Sequence, residues 1–164
     1  MSDYKYFANP FLKQEKEFYK LDAVEEVFTH IPIKDIITAS YLFAPDFIQV
    51  NEYVFVADLF NRWGKKAHTL TEYIEKVKHL ESQFHGDSVK IEQAINSWSI
   101  VDFFCTQNAN TPLTDKEIQT FCDILVYYWR FRVKELFPDK NIVVESGQEI
   151  MGELGLTITV YQKR

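Results

Sequence analysis

Cys122–Phe137 reads CDILVYYWRFRVKELF, a run whose interleaved aromatic and basic residues suit either a nucleic-acid surface or the inside of a helix. Turned by about 100° per residue, Lys116, Gln119, Thr120, Asp123, Tyr127, Arg130 and Lys134 fall on one stripe, and Ile118, Phe121, Leu125, Trp129 and Leu136 gather opposite. The stretch is therefore expected to be an amphipathic helix whose aromatics mostly serve the core. Thr114 and Glu117 form a capping box at its start, and Pro138 ends it. A stacking platform for single strands needs several aromatics along a basic groove, which Asp123 and the acidity of the chain oppose. Arg132 is the exception on this wheel, because it lies within the apolar arc. It must snorkel past the last turn or meet a carboxylate, for which Asp35, Asp58 and Asp102, each set in an apolar segment, are candidates. The functional alternative is an anion site at Arg132 lined by aromatics.

Working outward from this helix, the tail offers two strands, NIVVESG and LGLTITVYQKR. In the second, Leu156, Ile158 and Val160 alternate with Thr157, Thr159 and Tyr161. Upstream, Thr69 and Glu72 form another capping box, opening a charged helix over Thr71–Phe84 that stops at Gly86. Ile91, Ala94, Ile95 and Trp98 then recur at helical spacing, continuing into SIVDFFC, and TQNANTP is a polar linker. Before these, Phe47–Asp58 is rich in β-branched and aromatic residues and reverses at Asn51-Glu52, so a hairpin is expected. Ile33–Tyr41 reads as a helix, and Asn9-Pro10 and Asp22–Glu25 look like two earlier helix starts. VEEVFTHIPIKDII from Val24 and IEQAINSWSIVDFF from Ile91 share a pattern that places Asp35 and Asp102 alike, as short apolar periods readily do. The expected fold is α+β: helices packed on a small antiparallel sheet built from a central hairpin and a C-terminal hairpin, in one globular domain over 1–164.

Composition narrows the function classes. The chain is 46% hydrophobic and 16% aromatic, enough for a substantial core, and carries a formal charge of −6. That charge opposes sequence-independent binding to phosphate backbones, so no nucleic-acid partner is expected, and a basic protein partner is easier to accommodate. The N-terminus lacks a charged-then-apolar signal pattern and no apolar run approaches the ~20 residues that span a bilayer, so the reading is cytoplasmic with no membrane partner. Cys105 and Cys122 lack CxxC pairing and read as free, buried thiols. There is no GxSxG elbow and no glycine-rich phosphate loop. Glu75 and His79 share a helix face but supply only a pair where metal needs three or four ligands, so no metal and no cofactor is expected.

Arg62 and Trp63, in the charged segment NRWGKKAH read as an exposed loop, are candidate binding residues because Trp and Arg are enriched at interface hot spots. The alternative is that Trp63 folds back over the hairpin. Together these readings favour a small acidic cytoplasmic protein-binding domain, of an immunity or antitoxin type, that neutralises a partner directly and is not an enzyme. The runner-up is a small-molecule-binding domain or enzyme with an anion site at Arg132. A third is a homo-oligomer formed through an exposed C-terminal strand.

Overall fold

The computed structural model describes residues 31–105 and 114–164. The expected helix starts at Asn9-Pro10 and Asp22–Glu25, the linker TQNANTP and the side chain of Cys105 lie outside the described residues. Two compact units are present, Met1–Ser40 and Tyr41–Arg164. The described part of the first is the start of helix α1 (Ile33–Phe43), whose opening amides at Asp35 and Ile36 donate to the Pro32 carbonyl.

The second unit is α+β, as its sequence pattern anticipates. Strands β1 (Phe47–Val50) and β2 (Tyr53–Val56) form an antiparallel hairpin with Phe47 opposite Val56 and Val50 opposite Tyr53. Asn51 closes it at φ 55, the left-handed conformation that tight hairpin turns require and asparagine tolerates. Helix α2 (Ala57–Arg62) follows without a loop, then α3 (Leu70–Gln83), α4 (Ser88–Asn96), β3 (Trp98–Ser99), α5 (Ile100–Cys105), α6 (Asp115–Leu136), β4 (Ile142–Gln148) and β5 (Leu156–Gln162). Both expected capping boxes are present, at Thr69 with Glu72 and at Thr114 with Glu117, while Asp87 caps α4. The hairpins belong to separate sheets, a two-stranded β1-β2 and a three-stranded antiparallel β3-β5-β4.

Two expectations change. The start of the supposed loop Asn61–His68 is the last turn of α2. The helical pattern from Ile91 does not run on through Trp98, because Trp98 and Ser99 pair with Ile158 and Thr157 of β5, which splits the segment into α4, β3 and α5. In β5 both faces of the alternating segment are covered: Thr157 and Thr159 are as fully buried as Ile158 and Val160, because α4 packs on this strand and Ser97 donates to the Thr159 hydroxyl at 3.1 Å. In its sheet β5 is the central strand, between β4 and the two-residue β3.

Two apolar cores flank β2. Tyr53 and Phe55 join Phe60, Val77, Leu80, Ile91 and Ile95 in one, and Val56 joins Leu125, Trp129, Val133, Val144, Ile158 and Val160 in the other. Phe55 and Phe60, both fully buried, stack at 4.4 Å. Burial of each large side chain stabilises by roughly 1.5–3 kcal/mol.

Between the cores runs a polar seam built by α4. Among the described residues, one edge of β5 has no strand neighbour beyond its short pairing with β3, and the outer edge of β2 has none either. Two side chains one helical turn apart take the place of the missing ladder. Asn96 accepts from the Val56 amide at 2.8 Å and donates to the carbonyls of Val54 and Val160, both at 2.9 Å. Glu92 accepts from the amides of Val54 at 2.9 Å and Gln162 at 2.6 Å, and meets Arg164 Nη2 at 3.2 Å. Both side chains are fully buried, and every strand group they reach is satisfied. Burial pushes the Glu92 carboxyl above its usual range, while the Gln162 and Val54 amides and the Arg164 guanidinium pull it back.

Candidate functional site

The end of α2 sits between two cavities, and the adjacent residues Arg62 and Trp63 are divided between them. The larger cavity, about 500 Å³, is lined by Trp63, Lys65, Lys66, Glu72, Glu75, Lys76 and His79. It gathers three residues singled out in the sequence, since the Trp63 ring lies 6.0 Å from that of His79 and Glu75 is on the same wall. Trp63 is half-buried and packs against the core beside β2, so it folds back and borders the cavity at the same time.

Lys76 is the unexpected member. It is 8% exposed, and its ammonium donates to the carbonyls of Phe60 at 2.5 Å and Lys65 at 3.3 Å, with the Phe60 ring 4.6 Å away. Burial holds its pKa below the usual lysine value. The Phe60 carbonyl belongs to the last turn of α2, so Lys76 ties that helix end and the following loop to α3. Glu72 is committed as well: the amides of His68 and Thr69 hold its carboxyl below the usual carboxylate range. Two of the charged groups of this cavity, Lys76 and Glu72, are therefore engaged in building its walls. Among the described residues, no three His, Cys, Asp or Glu side chains converge as a metal ion would require.

The smaller cavity, about 110 Å³, is lined by Tyr41, Leu42, Pro45, Val56, Asp58, Leu59, Arg62, Trp98, Phe103 and Trp129. Trp129 is buried and anchored by its indole N–H, which donates to the Leu42 carbonyl at 2.6 Å. The Trp98 ring lies parallel to it, 6.3 Å away, and Phe103 meets Trp98 edge-on at 5.1 Å. Asp58 and Arg62 are exposed.

Arg132 joins neither cavity. Its guanidinium meets Glu135, one turn further along α6, at 2.8 Å, and its Nε is buried with no partner among the described residues. The residue thus resolves its place on the apolar arc by snorkelling to a carboxylate on its own helix, not to Asp58 or Asp102. The α6 wheel needs a second correction. Trp129 is core, but Tyr128 is 46% and Phe131 59% exposed, and Leu136 also reaches solvent. The rings of Tyr127 and Phe131 meet at 4.8 Å and those of Tyr127 and Tyr128 at 5.4 Å, so the outer face of α6 carries an aromatic ridge.

Among the described residues no helix is long and apolar enough to cross a membrane. In the sequence Lys76 is masked by its charged neighbours, although Tyr73, Val77 and Leu80 surround it on the apolar arc. In the sequence Asp58 stands out only as a possible partner for Arg132, because its place one turn before Arg62 matters only once Ala57–Arg62 is helical. The chain matches no known protein family, no curated protein and no solved structure.

Proposed function

We propose that this chain is a protein-binding domain that engages a basic partner through the outer face of α6. The observation that carries the reading is the exposure of Tyr128 and Phe131, two large aromatics on a rigid helix whose opposite face is fixed in the core. Tyrosine supplies large contact area at little entropic cost, and aromatic side chains dominate interface hot spots. The formal charge of −6 favours encounter with a basic surface by electrostatic steering. This combination suits the acidic member of a neutralising pair of the immunity or antitoxin type, whose target is a nucleic-acid-cleaving protein. On this reading the aromatics set the lifetime of the complex and the charge sets the rate of its formation.

The test is affinity capture from the host lysate with the wild-type chain and with a Tyr128→Ser/Phe131→Ser variant, at low and high salt. A stoichiometric basic protein held by the wild type, lost from the variant and weakened by salt supports the reading. Capture of the same proteins by both baits, or recovery of the chain alone, overturns it.

A further inference from the structure

The smaller cavity carries an inference independent of the α6 face. Asp58 and Arg62 stand one turn apart on α2 and both border this cavity. Opposite charges at that spacing, acid first, ordinarily pair along the helix. Here neither makes an ion pair or a side-chain hydrogen bond among the described residues, with each other or with any other group. Beneath them the walls are apolar and fixed: Val56 and Trp129 are buried, Trp129 is tethered to Leu42, and Trp98 lies parallel to it.

We infer that this cavity is a binding site for a compact zwitterion, an α-amino acid with a small branched aliphatic side chain. Its ammonium would meet Asp58, its carboxylate would meet the Arg62 guanidinium, and its side chain would enter between Val56 and the two tryptophans. The charge pattern selects a dipolar ligand. A simple cation placed here faces Arg62 and a simple anion faces Asp58, whereas a zwitterion satisfies both. Guanidinium matches carboxylate in a bidentate geometry, and indole faces favour a neighbouring ammonium. A volume near 110 Å³ holds an aliphatic group of roughly four heavy atoms, taking about 30 Å³ for each water-sized unit. That admits the side chain of valine or leucine. A few convergent polar groups above an apolar floor is the usual anatomy of small-ligand sites.

The experiment titrates L-leucine into the full chain and follows the indole N–H signals of its three tryptophans by NMR. Trp98 and Trp129 report on this cavity, and Trp63, which borders the larger one, is the internal control. Isoamylamine lacks the carboxylate of leucine and isocaproate lacks its ammonium. The expected result is a saturable shift of Trp98 and Trp129 with leucine. Affinity should fall about tenfold or more for either analogue, and likewise for leucine with Asp58→Asn or Arg62→Gln, as loss of a charged hydrogen bond implies. A wild-type urea midpoint for each variant shows that it remains folded. Absence of a saturable shift, equal affinity for either analogue, or undiminished leucine binding by both variants would each overturn the assignment.

Discussion

The seam made by α4 and the rim made by α2 each place two polar side chains one helical turn apart, and they use them in opposite ways. Glu92 and Asn96 are fully buried, and between them they engage the amides of Val54, Val56 and Gln162 and the carbonyls of Val54 and Val160. Asp58 and Arg62 are exposed, beside a cavity, and engage nothing among the described residues. A polar residue whose bonding capacity is consumed by backbone holds the fold together and has little left for a ligand. One whose capacity is open contributes little to folding and is available for recognition. Lys76 stands between the extremes, buried like the seam but bonded to only two carbonyls at the edge of a cavity.

The largest effect belongs to the seam. Asn96→Ala leaves the Val56 amide and the carbonyls of Val54 and Val160 without partners in a buried, water-poor position. Each such group costs about 1–3 kcal/mol, so the expected loss is about 3–5 kcal/mol, read as a fall in the urea midpoint. Glu92→Gln keeps the shape and one acceptor oxygen while turning an amide donor towards backbone amides or Arg164, and should cost about 1–3 kcal/mol. A loss below about 1 kcal/mol for Asn96→Ala would mean that β2 and β5 are held by their apolar cores alone and that the seam is incidental.

Lys76→Met tests the intermediate case. Methionine retains the packing against Phe60 and removes both bonds to carbonyls, so the expected loss near neutral pH is about 1 kcal/mol. The pH dependence separates this side chain from all others. Because burial lowers the folded-state pKa of Lys76 below the ordinary 10.5, the folded chain binds fewer protons than the unfolded chain between those values. Stability contributed by this group therefore rises with pH across that window. Tyr53, pushed up to about 12, and Cys122, pushed up to about 11, act in the opposite sense. Their folded forms retain protons that the unfolded chain releases, so both draw stability down as pH climbs through the alkaline range. Those losses are shared by wild type and variant and cancel in the difference. The gap between the two proteins should widen as pH rises towards 10.5, and a constant gap in paired melts would refute the assignment of a depressed amine.

The seam and the rim also differ in how much of them the sequence discloses. Capping boxes at Thr69 and Thr114, the reversal at Asn51 and the two C-terminal strands are local features, set by a few neighbouring residues, and each is found where the pattern places it. What depends on tertiary pairing is not local. Trp98 and Ser99 continue a helical pattern but become a strand because β5 offers them a ladder. Thr157 and Thr159 alternate with apolar residues and are buried because α4 lies over them. On α6 the wheel separates Trp129 correctly, yet no wheel tells which arc the rest of the fold will cover, and Tyr128 and Phe131 stay outside. Of the candidate binding residues, Arg62 and Trp63 border cavities, whereas Arg132 is engaged by Glu135 within its own helix.

The smallest expected effect is the sharpest test of the contrast. If the charges of Asp58 and Arg62 are free of the fold, Asp58→Asn and Arg62→Gln should each leave the urea midpoint within about 0.5 kcal/mol of wild type, the range of exposed substitutions without partners. Both residues sit on helix α2 in orientations that its dipole favours, acid in the first turn and base in the last, a contribution that for exposed charges on a six-residue helix falls at the low end of roughly 0.3–1 kcal/mol each. A larger loss would place them in the same class as Glu92, as structural groups whose partners form only in solution, and would remove the reason to regard the cavity between them as a ligand site. Near-zero loss is what an unsatisfied pair predicts, and it leaves recognition as the remaining use of two opposite charges held apart over an aromatic floor.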